Sequence, residues 1–185
     1  MTQPSHSALT PSHPAEAGAD TLVITRVFDA PRALVFKVWT DPQHLAQWWG
    51  PKGFAMHVQA LDLRPDGVFH YSQQSPDGQV LWGKFVYREI TAPERLVFVS
   101  SFADEAGNTI RTPWSADWPL EILNVVTLSE HEGKTTLTMH GGPLNATETE
   151  RKTFEAAQKM VQQGFGGTMD QLAAYLASCL AGDEA

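Results

Sequence analysis

Along this chain the spacing of apolar residues changes twice. Residues 21–29 (TLVITRVFD) are β-branched and apolar, which predicts a strand. Ala30 and Pro31 stop it, and residues 31–40 place Leu34, Val35, Val38 and Trp39 on one helical face. Asp41 is placed to cap a second short helix that begins at Pro42, carries Leu45, Trp48 and Trp49, and ends at Gly50-Pro51-Lys52-Gly53. From Phe54 to His140 the period becomes two, predicting strands at 54–63, 66–74, 79–90, 95–102, 121–129 and 134–140. Turn residues separate them, as in Pro65-Asp66-Gly67, Pro76-Asp77-Gly78 and Glu132-Gly133. From Thr147 to Leu180 the period returns to 3.6. Phe154, Ala157, Val161, Phe165, Thr168, Leu172, Tyr175 and Cys179 form one stripe, widened by Met160, Met169, Leu176 and Leu180. Thr147 and Glu150 have the spacing of a capping box, and Gly182 lies just past the expected end. Gly164, Gly166 and Gly167 interrupt the pattern; each costs a helix interior about 1 kcal/mol relative to Ala.

Strands segregated from helices predict an α+β domain with a seven-stranded antiparallel sheet. Such a sheet must bury one face, and only the last helix, spanning roughly 45–50 Å, is long enough to cover it. The expected organisation is a disordered tail over 1–20, one domain over 21–180 and a short tail over 181–185. His6 and His13 fall in the first tail and are read as solvated. The connection over 103–119 is long and contains Trp114 and Trp118, which suits a functional or lid-like loop.

Charge and cysteine content narrow the function classes. A net charge of −8 without a basic cluster argues against nucleic acid or an anionic membrane as partner. One cysteine permits no intrachain disulfide, and neither a signal peptide nor a membrane-length apolar run is legible, so a cytoplasmic protein, monomeric or homodimeric, is expected.

The stretches FDAPRALVFKVWTDPQHLAQWWGP (28–51), DLRPDGVFHYSQQSPDG (62–78), LWGKFVYREITAPERLVFVSSFADEAGN (81–108) and NATETERKTFEAAQKMVQQGFGGTMDQLAAYL (145–176) resemble the bacterial AHSA1-like branch of the START-related, Bet v 1-like superfamily. The resemblance implies a helix-grip fold, in which a curved sheet wraps the C-terminal helix and leaves a cavity between them. It does not carry over a co-chaperone role. Where relatives commonly have Gly-Trp in the last helix, this chain has Gly164-Phe165, and the smaller ring is expected to enlarge the cavity. On this reading the glycines bend or thin the helix beside the cavity.

Candidate ligand-binding residues are Trp48, Trp49, Phe69, Tyr71, Trp82, Phe98, Trp114, Trp118, Phe165 and Met169, since small-molecule pockets are mostly apolar with a few placed polar groups. Phe85 belongs to the same aromatic set. No catalytic residue, metal or cofactor is assigned. His57, His70 and His140 lack metal-ligand spacing, His44 is read as solvated, and His70 beside Tyr71 is the one histidine placed for acid–base work. One of Arg88 and Glu89 should face inward unless the strand bulges, with Arg64 or Arg95 as partner for Glu89. Cys179, near a helix C-terminus, reads as a buried hydrophobe. Phosphate-binding and nucleophile-elbow motifs do not occur. The function expected is binding of a small hydrophobic or aromatic molecule without chemistry. The alternatives are a polyketide cyclase/aromatase-type enzyme, needing Tyr71, His70 or Glu89 at the cavity, and a protein-interaction module.

Overall fold

A computed structural model describes residues 21–183. The expected tail over 1–20, with His6 and His13, and residues 184–185 lie outside the described residues. Strand β1 (Leu22–Phe28) is followed by helices α1 (Arg32–Thr40) and α2 (Pro42–Trp48). Strands β2 (Ala55–Leu61), β3 (Val68–Gln74), β4 (Val80–Thr91), β5 (Arg95–Ala103), β6 (Ile122–His131) and β7 (Lys134–Pro143) come next, and α3 (Glu148–Asp183) ends the fold. The sheet is antiparallel throughout, in the order β1-β7-β6-β5-β4-β3-β2. The predicted α+β architecture is the one observed. Strand β1 joins β7 across the far edge, so the two short helices carry the chain from one edge of the sheet to the other.

Local signals hold at several element ends. Asp41 Oδ1 accepts from the backbone N–H groups of Gln43 (2.8 Å) and His44 (3.4 Å) at the start of α2. At the start of α3 the capping box is complete: Glu150 Oε2 accepts from Thr147 N (2.7 Å), and Thr147 Oγ1 accepts from Glu150 N (3.2 Å). The helix passes Gly182 without stopping, so 181–183 belong to it rather than to a tail.

Arg88 and Glu89 are both exposed, because β4 bulges between them: Tyr87 pairs with Phe98, and Glu89 with the next residue, Val97. The extra residue resets the alternation, so Tyr87 and Ile90 both turn inward and neither charge does. Glu89 pairs with Arg95 at 3.1 Å, as one of the two expected alternatives, while Arg64 pairs with Asp62.

Helix α3 is unbroken across its glycines, contrary to a break at that point. Thinning the helix there makes room for no neighbouring group, since a Cβ on Gly164, Gly166 or Gly167 would meet nothing within 4 Å. The helix lies against β1, β7, α1 and α2. Its second half enters the core through Thr168, Met169, Leu172 and Leu176, all buried, against inward residues such as Phe28 and Leu137. The Gly50 carbonyl fastens α2 to this half by accepting from Thr168 Oγ1 (3.2 Å) and Gln171 Nε2 (2.6 Å). In the first half only Glu150 and Phe154 are buried, and Met160, expected on the apolar stripe, is 67% exposed.

Candidate functional site

Inward positions of the middle strands grade from large to small. On β4 the series runs Tyr87, Phe85, Gly83; on β5 it runs Leu96, Phe98, Ser100, with Phe102 beyond it opposite Gly83; on β7 it runs Leu137, Met139, Gly141. The large end is filled: Phe85 and Phe98 stack with ring centroids 4.2 Å apart, and Phe69 lies 5.2 Å from Phe85. At the small end side chains run out before the space does, leaving a cavity of about 220 Å³. Phe154, Val161 and Phe165 of α3 roof it, and Trp118, Pro119 and Leu120 close one side.

The closing loop, residues 104–121, is strapped at both ends. On the outer face of the sheet its first turn covers His70 and Lys84: His70 Nε2 lies 3.1 Å from Asp104 O, and Lys84 Nζ donates to Gly107 O at 2.8 Å. The Asn108 side chain and backbone N–H donate to the Asp104 carboxylate and hold it below the usual range. At the other end Arg111 Nη1 donates to Ala116 O (3.1 Å), Trp118 O (3.2 Å) and Glu150 Oε1 (2.7 Å). The cap of α3 thereby also anchors the loop. The Thr147 backbone N–H, joined by Arg111, holds the Glu150 carboxyl below the ordinary glutamate range.

Two polar groups stand out on the cavity wall. The Tyr71 ring lies over Gly83, whose absent Cβ would sit 2.6 Å from Tyr71 Oη. Burial among Phe69, Phe85 and Trp49 pushes its pKa up to about 12, so the phenol stays protonated. The Trp49 indole N–H approaches and offsets part of that rise, but forms no hydrogen bond of proper geometry. Across the cavity, Asn124 is buried and spends its Nδ2 on Ser100 Oγ (2.9 Å) and Ile122 O (3.0 Å). Its Oδ1 is left facing Gly141, where a Cβ would come within 3.1 Å.

The Activator of Hsp90 ATPase homolog 1-like protein (AHSA1) family model matches residues 29–177. The chain belongs to this family. Among solved structures it is similar to a Mycobacterium smegmatis protein at 28% identity, covering 89% of this chain and 95% of that one with a TM-score of 0.71. An Arthrobacter aurescens protein is 26% identical over 91% and 92% of the two chains, with a TM-score of 0.74. A Nitrosomonas europaea protein at 23% identity shares the fold, with a TM-score of 0.71 over 89% and 98%. No curated protein matches the chain.

Within this AHSA1-like fold the ten residues read from the sequence separate into groups. Tyr71, Trp118 and Phe165 line the cavity. Trp82 borders it, but strand alternation puts its indole on the opposite face, stacked on His70 at 4.9 Å. Trp49 stands behind the wall, 6.1 Å from Phe165 and 6.4 Å from Tyr71. Trp48, Phe69, Phe98 and Met169 are packed core; the Trp48 indole donates to Val38 O at 3.0 Å. Trp114 is 60% exposed and does not line the cavity, but it meets the lining residue Phe102 edge-on at 5.1 Å. His70 and Glu89 do not line the cavity. His44, read as solvated, is half-buried, and its Nδ1 lies 2.7 Å from Tyr175 Oη between α2 and α3. Asn124, Gly83, Ser100, Gly141 and Arg111 were not singled out from the sequence. The first four had a signal, a polar or very small residue at an inward position of an otherwise apolar strand. Arg111 had none, since its partner Glu150 is 39 residues away.

Proposed function

We propose that the protein binds a small hydrophobic molecule in the cavity between α3 and the small-residue end of the sheet. The observation that carries this is the coincidence of Gly83, Ser100 and Gly141 at inward positions of β4, β5 and β7, under a roof of Phe154, Val161 and Phe165. Ser100 leaves space on that wall directly, while Gly83 and Gly141 make room for the Tyr71 phenol and Asn124 Oδ1 beside a hollow of about 220 Å³. Binding accounts for this site better than acid–base catalysis. Among the described residues Tyr71 is its one titratable wall residue and is held protonated, whereas a cyclase or aromatase needs a base as well as an acid.

Native mass spectrometry of protein purified from its own host should show a retained small molecule. Ser100→Phe, which places a ring in the hollow, should release it while the protein stays folded. A wild-type protein that retains nothing, and whose melting temperature no small aromatic raises, would remove the basis for this reading.

A further inference from the structure

We infer that the cavity is specific for a neutral hydroxylated aromatic of one or two rings and rejects the corresponding carboxylate. This rests on the binding reading above and names its ligand class. Size sets the first limit. A cavity of about 220 Å³ lies below the roughly 300 Å³ at which drug-sized pockets begin, and above the ~150 Å³ that holds a benzene. A sterol or a long acyl chain is too large for this cavity to enclose.

Charge sets the second limit. Among the described residues no Asp, Glu, Lys, Arg or His lines the cavity. The Arg111–Glu150 pair that anchors the loop is mutually satisfied at 2.7 Å and does not line the cavity. An ionised ligand would leave water and find no counter-charge, which is unfavourable. Hydrogen bonding sets the third. The Tyr71 O–H has no protein acceptor among the described residues, and Asn124 Oδ1 has no protein donor, because both Nδ2 protons hold that amide in place. Together with the Gln73 amide, which also lines the cavity and has no side-chain hydrogen bond among the described residues, these groups match a hydroxyl, which can both accept and donate. Gly83 and Gly141 keep these two groups uncovered, since a side chain at either position would press on them. A ligand with no polar group would leave both unsatisfied and bind less well.

Isothermal titration of the full chain at pH 7 with 2-naphthol, naphthalene and 2-naphthoate tests this. We expect 2-naphthol to bind tightest, naphthalene to bind roughly fivefold more weakly, and 2-naphthoate at least about tenfold more weakly than 2-naphthol. Naphthoate binding as tightly as naphthol would overturn the ligand class and leave the binding reading standing. If none of the three binds, the binding reading fails and this inference with it. Tyr71→Phe, checked for folding by its melting curve, should close the gap between naphthol and naphthalene; an unchanged gap would overturn the part given to Tyr71.

Discussion

The two halves of α3 belong to one unbroken helix, yet they face different surroundings. From Thr168 onward the helix sends Met169, Leu172 and Leu176 into a packed core and is tied to α2 through the Gly50 carbonyl. Before Thr168 it is held at its cap and by Phe154, and from Phe154 to Phe165 it roofs a hollow. The same periodicity of apolar residues thus serves two purposes. Where the opposing strands offer Phe and Leu the stripe is core; where they offer Gly and Ser it is a cavity wall. An apolar stripe alone does not distinguish these cases. The partner strand does.

The difference can be tested by how much each half contributes to stability. Leu172→Ala should destabilise the protein by about 3–5 kcal/mol in urea unfolding, because its site is closed on all sides. Phe165→Ala removes a larger side chain but should lose only about 1–2 kcal/mol, since part of the ring already faces empty space. Equal losses at the two positions would mean that both halves are equally packed. Gly164→Ala and Gly167→Ala should each stabilise by about 0.5–1 kcal/mol, as the added methyl meets nothing and the helix gains a better former. A loss at either position would reveal a contact that α3 makes there only when the cavity is occupied.

The smallest effect concerns the strap. Because the folded state holds the Glu150 carboxyl below its ordinary range, its contribution is complete above that range and fades as pH falls through the lowered value. The melting temperature of the wild type should therefore drop on acidification more than that of Glu150→Gln. Parallel curves would mean that the Arg111–Glu150 contact does not help hold the loop over the cavity half.

The architecture was legible because period and turn chemistry are local. Strand alternation, the Asp41 cap and the Thr147–Glu150 box each involve residues a few positions apart. The site was less legible because its boundary is set by packing across the sheet. Phe98 and Tyr71 both read as inward aromatics. Only the register, which pairs Phe98 with Tyr87 so that its ring stacks on Phe85, and pairs Tyr71 with Gly83, makes one core and the other cavity wall. The bulge at Arg88 shows the limit of alternation, because one inserted residue turns two charges outward that a regular strand would have split between faces. Trp114 shows the limit of composition: a tryptophan in a long loop suggested a pocket wall, and it is exposed and touches the wall residue Phe102 instead.

The three glycines also set a rate. Replacing alanine by glycine three times within four residues lowers the local preference for helix by about 3 kcal/mol, against a total stability of about 5–15 kcal/mol for a typical domain. Amide hydrogens near 162–168 should therefore exchange with solvent well before those of Leu172 and Leu176, whose release requires the core to open. If so, the part of α3 that opens first lies beside the hollow, and the helix protects its two halves on different timescales.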